Sequence, residues 1–335
     1  MAAFSQPDPR LEAQCRRIAA WSIALERRAG GSTHRVNEYL DLAEALDAHF
    51  GWEPFGGPGE EPEQIAEIAL ACLRVVPPED IDHAIERLPV FPLAAQRALG
   101  VMLRDDWNAW ELESIAGSDQ ALAANLLRAA NSWAHAPRQR IHTIPHAITY
   151  IGAERTSRIL YAAAIQPMFA TPRLRDLWHH SVASAEVAQN LAEVSRAAEP
   201  KKAFLAGLVH DIGSLAMAAL APAFQDLFRR LTDLGCEPIL AERALSGVSH
   251  AHAGARALKL WKFEPEFCEA VEFHHAPEQT ENRLASLLYL TEQWTDASED
   301  PPSALRFRVA LDRVGITERQ FEELSPLSDR MMAAL

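Results

Sequence analysis

From Leu88 onward, apolar residues recur at i, i+3, i+4 and i+7 along nearly every segment, and the alternating β-branched runs that mark strands are absent. The pattern predicts an all-α protein whose helices are joined by short Gly, Pro or Ser turns. Two earlier segments, "LEAQCRRIAAWSIALERR" and "HRVNEYLDLAEALDAHF", show the same helical spacing, and they are followed by "GWEPFGGPGEEPEQ" at 51–64 and "VVPPED" at 75–80, which read as breaks. The chain is therefore expected to carry a small helical N-terminal extension over 1–80, a main multi-helix domain over 85–300 and a helical C-terminal tail over 301–335.

The same periodicity assigns faces to the histidines. In "SHAHAGARALKLW", His250 falls on a stripe with Ala253, Gly254, Ala257, Leu258 and Trp261, whereas His252 shares a face with Arg256 and Lys259. In "PEFCEAVEFHHAPE", His274 continues the line of Phe267, Ala270 and Val271, and His275 sits one step round and is open to either side. In "WHHSVASAEVAQNLAEV", His180 is in phase with Val187, Leu191 and Val194, and His179 is not. The apolar run "FLAGLVHDIGSLAM" at 204–217 adds His210 beside Asp211. Gly213, just beyond the pair, suits the left-handed position that ends a helix, and Gly207 leaves room one turn back.

A buried carboxylate costs several kcal/mol unless it is paired, hydrogen-bonded or bound to a metal. For any one inward histidine the ordinary explanation is a core side chain bonded to a carbonyl. His180, His210, His250 and His274 on separate helices, together with Asp211, call for a shared one. Imidazole and carboxylate donors suit iron, manganese, zinc or nickel, and one or two such ions would offset the charge of Asp211. No organic cofactor is called for.

The composition narrows the function classes. With 335 residues, 48% apolar and 23% charged, the chain has material for a large core, and its net charge of −14 argues against nucleic acid or an anionic membrane as partner. The candidate basic helices, "AQCRRIAAW" and "APRQRIHTIP", carry too few positive charges for DNA recognition. The start lacks the basic and apolar regions of a secretory leader and no apolar run reaches about 18 residues, so a cytoplasmic location is expected. Cys15, Cys72, Cys236 and Cys268 have no CxxC spacing and are expected to be free thiols.

An ordered series of segments resembles one family. "LPVFP" at 88–92, "ELESIAGSDQALAANLLRAANS" at 111–132, "TIPHAITYIG" at 143–152, "LWHHS" at 177–181, "LAGLVHDIG", "SHAHAGARALKLW" and "FHHAPE" follow one another as in HDOD domains, from about Leu88 to about Trp294. These belong to the wider HD superfamily of metal-dependent phosphohydrolases. The resemblance implies an all-helical HD-like fold and a regulatory role in bacterial signalling, with signalling proteins as partners. Carried over position by position, it implies His180, His210, Asp211, His250 and either His274 or His275 as metal ligands. In "LLYLTEQWTD" the usual acid is Asp, and this chain has Glu292, whose longer side chain is expected to reach the metal as a further ligand, with Asp296 one turn on.

Two functions follow from the resemblance. An HD-type phosphohydrolase or phosphodiesterase would act on a nucleotide or cyclic dinucleotide and would need cations for the phosphate; Lys201, Lys202, Arg256 and Lys259 are nearby in sequence, but solvated helix-surface charge is their ordinary reading. The related HD-GYP enzymes carry Gly-Tyr-Pro soon after the paired histidines, where this chain has "HHAPEQTENR". Glu292 and the missing Gly-Tyr-Pro favour a regulatory module whose catalysis is lost or residual, and the intact His180, His210, Asp211 and His250 favour a metal. The sequence does not specify an oligomeric state.

Overall fold

A computed structural model describes residues 76–104, 106–132, 137–171, 174–233, 238–295 and 304–324. The helical segments expected before residue 75, Asp296 and three of the four cysteines lie outside these residues. The described chain is helical with no strand among the described residues, as the 3.6-residue period requires.

Two compact units emerge from the contacts within the chain. The larger comprises 88–211, 258–297 and 310–335, the smaller 1–87, 212–257 and 298–309, each so far as it is described.

The larger unit opens with the loop 88–92, whose Phe91 ring centroid lies 5.2 Å from those of both Trp261 and Phe263. Helices α1 (Leu93–Met102), α2 (Ala109–Ala116), α3 (Gln120–Ala130), α4 (Ile144–Ile151) and α5 (Ala153–Ile165) follow. Their starts are set locally: Asn108 and Glu111 form a reciprocal capping box, Asp119 accepts from the Ala121 amide, and Thr143 accepts from the His146 amide with Pro145 in the first turn. Gly152, at φ +86°, turns α4 into α5 in a conformation that a side chain would strain.

Two helices then form the centre of this unit. Helix α6 (Arg175–Ser195) runs 21 residues and α7 (Pro200–Val209) packs along it. Residues 203–209 of α7 are all buried, so this helix is apolar on every side and occupies the middle of the unit. The two backbones approach closely at Gly207, where an added Cβ would sit 2.6 Å from the Ser184 carbonyl oxygen. Helices α8 (Pro265–Glu272) and α9 (Arg283–Thr295) pack against this pair. Val194 departs from the expected stripe and is 50% exposed, in the last turn of α6 just before the left-handed cap at Arg196.

The smaller unit contains α10 (Pro78–Glu86), α11 (Ser214–Ala218), α12 (Pro222–Asp233), α13 (Pro238–Ser246) and most of α14 (His250–Leu260). Gly213 does not take the left-handed conformation expected of it: its φ is −66° and it starts α11. Its lack of a side chain is needed for contact, since a Cβ would lie 1.9 Å from the His250 carbonyl oxygen and 2.4 Å from the Gly254 amide nitrogen. Arg256 pairs with Asp82 at 2.6 Å, and the Val76 amide donates to the Leu245 carbonyl at 3.1 Å. The last elements are α15 (Ala304–Val314) and α16 (Glu318–Leu324).

Candidate metal centre

The larger unit gathers polar side chains from each of its central helices. His180 lies in the second turn of α6, where its partly exposed ring faces inward while His179 is exposed. His210 follows the last residue of α7 and is 1% exposed, with Asp211 next to it. His274 and His275 follow the end of α8, His274 at 0% exposure and His275 partly exposed. Glu292 comes from α9 and is buried. The helix phase that points His180 and His274 inward agrees with their burial, although His274 stands two residues past the end of α8; His210 and Asp211, one and two residues past α7, are expected from the apolar run around them, and Glu292 from the resemblance alone.

Three donor atoms converge. His180 Nε2 and His210 Nε2 are 3.2 Å apart, and Glu292 Oε1 is 3.2 Å from the first and 3.0 Å from the second. Asp211 adds Oδ2 at 3.5 Å from His180 Nε2 and Oδ1 at 3.5 Å from His210 Nε2. The same Oδ1 lies 3.6 Å from His274 Nε2, and donor atoms of Asp211, His274 and His275 fall within 4.8 Å of one another. The His274 and His275 rings have centroids 4.0 Å apart.

The backbone fixes which nitrogen of each buried ring faces the cluster. His210 Nδ1 donates to the Gly207 carbonyl at 2.7 Å, and His274 Nδ1 donates to the Val271 carbonyl at 2.6 Å. A carbonyl can only accept, so Nδ1 carries the hydrogen and Nε2 of each neutral ring presents a lone pair to the carboxylates. This is the outer-shell arrangement that orients metal-binding histidines. Ser184 Oγ lies 3.5 Å from His180 Nε2 and donates to Thr295 Oγ1 at 3.1 Å, tying α6 to α9 beside the cluster.

Lone pairs packed this closely repel unless a proton or a cation lies among them. Glu292 Oε1 is buried, and neither imidazole contact is aligned as a hydrogen bond to it. Burial opposes protonation of His210, but the Asp211 and Glu292 carboxylates outweigh it and hold its pKa above the ordinary imidazole value. Burial likewise raises Glu292, and attraction to His210 and His180 outweighs that and holds its carboxyl well below the usual range. The donor set of two imidazoles and a carboxylate, with Asp211 alongside, fits a divalent transition metal. Bound there, such an ion would act as a Lewis acid and lower the pKa of a coordinated water.

His250 belongs to the smaller unit. It is 7% exposed, at the start of α14, with Glu242 of α13 as its partner. Glu242 Oε2 accepts from the His250 amide at 2.7 Å and lies 2.8 Å from Nδ1, with Oε1 at 3.0 Å. Glu242 was not singled out in the sequence. Its signal is weak but present: it falls between the buried Ala241 and Leu245, at a position where an acid needs a partner.

An all-α core with adjacent His-Asp at the end of a central helix, and histidines and an acid from three neighbouring helices around it, defines an HD-like domain. The chain belongs to the HDOD domain family, whose pattern matches residues 88–277. An uncharacterized protein of Treponema pallidum is 23% identical over 216 residues, covering 61% of this chain; the chain spans about two fifths, 41%, of that curated relative. Among solved structures, an HDOD domain protein of unknown function from Geobacter sulfurreducens is similar with TM-score 0.65 and 23% identity, over 77% of this chain and 95% of that one. A Marinobacter aquaeolei protein provisionally named for signal transduction gives 0.63 and 22%, over 76% and 64%. A Shewanella amazonensis protein provisionally named a phosphohydrolase gives 0.60 and 23%, over 76% and 98%. At these identities the likeness shows the fold. Among the described residues no single helix is long and apolar enough to cross a membrane.

Proposed function

We propose that this chain is a metal-binding regulatory module of the HDOD family that acts through signalling-protein partners, with catalysis lost or residual. The observation that carries the metal is the convergence of His180 Nε2, His210 Nε2 and Glu292 Oε1 within 3.0–3.2 Å of one another. Asp211, His274 and His275 extend the donor set within the same unit, and His250 stands as a ligand on the resemblance. Iron, manganese, zinc or nickel suits such a set, with room in the donor count for one or two ions.

Regulation is favoured over hydrolysis by the cations near the HD pair in sequence. Lys202 is engaged by Glu266 at 3.1 Å and Glu264 at 3.7 Å, and Arg256 by Asp82 at 2.6 Å, so two of the four candidates for binding a phosphate already hold carboxylates. The retained His180, His210, Asp211 and Glu292 donors favour the second reading, a metal-dependent phosphohydrolase acting on a nucleotide or cyclic dinucleotide.

Elemental analysis of the tag-free protein beside its His210→Ala, Asp211→Ala double variant tests the metal. One or two equivalents in the wild type and none in the variant is the expected result. Equal metal content in both would overturn the ligand assignment. Measurable turnover of nucleotides or cyclic dinucleotides by the loaded wild type would replace the regulatory reading with the hydrolytic one.

A further inference from the structure

The family match ends at residue 277, yet the larger unit continues to residue 324, and that added chain grips both sides of the candidate centre. Arg313, near the end of α15, donates through Nη1 to the Pro277 carbonyl and to Ser286 Oγ at 3.4 Å, and through Nη2 to Glu281 Oε1 at 3.3 Å. The grip is returned: Arg283 of α9 donates through Nε to the Arg313 carbonyl at 3.1 Å and through Nη2 to the Val314 carbonyl at 3.4 Å. Gly315, at φ +81°, then turns the chain so that Phe321 of α16 stacks on Trp294, with ring centroids 4.3 Å apart at 12°.

The places gripped are those that set the cluster. Pro277 follows His275 by two residues, in the short segment between α8 and α9. Trp294 follows Glu292 by two residues on α9. His274 is locked by its bond to the Val271 carbonyl, whereas the stretch after it, which carries His275, is held at the buried Pro277 by Arg313. The Arg313 side chain is only 15% exposed, and Ser286 is fully buried. Glu281 is 96% exposed, so that ion pair adds little. The value of Arg313 lies in tying the Pro277 carbonyl to α9.

We infer that Arg313 is a positioning residue for the His274–His275 side of the metal centre, so that a helix outside the family match sets the affinity of the site. The inference rests on the metal-binding reading above. A partner or signal that displaced residues 310–324 would reach the cluster through this contact.

Cobalt(II) titration of the full chain, followed by its d–d absorption, tests the inference. Arg313→Ala is expected to weaken cobalt binding by up to about 10-fold, the lower end of what losing a hydrogen bond to a ligand itself costs, and to alter the absorption band. Arg313→Lys, which keeps one donor for the Pro277 carbonyl, recovers part of the affinity. Glu281→Ala leaves it unchanged. Leu112→Ala, which opens a cavity in α2, lowers the melting temperature and leaves cobalt affinity as in the wild type. Wild-type affinity in Arg313→Ala, or an equal loss in Leu112→Ala, would overturn the positioning role.

If the wild type takes up no cobalt, the metal reading itself fails, and the imidazole signals of the metal-free protein decide the rest. In Arg313→Ala the His274 and His275 signals move while that of the exposed His146 does not; unmoved His274 and His275 signals would overturn the inference.

Discussion

Glu186, on α6, should make this protein more stable in mild acid than at alkaline pH, and Glu186→Gln should remove that dependence. Its carboxyl is pushed up from 4.5 to about 7 by burial, which outweighs the attraction of Arg158 and Arg155 on α5. Its Oε2 is buried without a hydrogen bond. For an acid with a raised folded-state pKa the sign runs opposite to that of a salt-bridged one. Below about pH 4.5 both folded and unfolded chains are protonated, and the group contributes nothing. Between about 4.5 and 7 the unfolded chain releases the proton while the folded chain keeps it, so stability falls as pH rises. Above about 7 the full cost of the buried charge is in place. The span from 4.5 to about 7, at about 1.36 kcal/mol per pH unit, gives roughly 3 kcal/mol. Urea denaturation at pH 8 should therefore show Glu186→Gln more stable than wild type by up to about 3 kcal/mol, with the gain vanishing near pH 4.5. An equal gain at both pH values, or none at pH 8, would refute the burial argument.

Other substitutions probe the packing that brings the donors together. Gly207→Ala sets a methyl group 2.6 Å from the Ser184 carbonyl, so α6 and α7 must separate. An overpacking cost of about 1–3 kcal/mol, less about 1 kcal/mol gained in helix propensity, should leave a net loss of up to about 2 kcal/mol in urea denaturation, with weaker metal binding because His180 and His210 move apart. Gly213→Ala places its Cβ 1.9 Å from a backbone oxygen and should destabilise more than Gly207→Ala in the same assay; an equal or smaller loss would contradict the close approach. Glu242→Ala removes the carboxylate that accepts from the buried His250 amide and faces its ring, and should cost about 1–3 kcal/mol, measured by thermal or urea unfolding. Asn108→Ala breaks the capping box of α2 and should cost about 1 kcal/mol.

Much of the fold and site was legible in the sequence because helix periodicity reports burial directly. His180 and His274 lie on faces that the i, i+3, i+4 pattern assigns inward, and the structure half-buries the first and buries the second; His210, noted for its place in an apolar run, is buried as well. His252, assigned to the solvated face, is exposed. Periodicity fails at helix ends, as at Val194, exposed in the last turn of α6, and it does not distinguish why a glycine is needed. Gly213 has an ordinary φ and is required by a neighbouring backbone that sequence spacing does not reveal. Glu242 and Arg313 escaped notice for a related reason. Each is one charged residue among many, and its role depends on a contact with a distant segment: His250 eight residues on, or Pro277 thirty-six residues back. The ordered motifs pointed to the family, and the match over 88–277 shows it, but those motifs stop short of the chain that grips the cluster.

The most direct test of the metal centre is anomalous scattering from crystals grown with manganese or zinc, recorded at the metal edge. The expected result is a peak about 2 Å from His180 Nε2, His210 Nε2 and Glu292 Oε1, with the imidazole Nδ1 of His210 still on the Gly207 carbonyl. No peak at the cluster with those side chains ordered, at saturating metal, would contradict the assignment and leave the histidines as a hydrogen-bonded core of a protein-binding module.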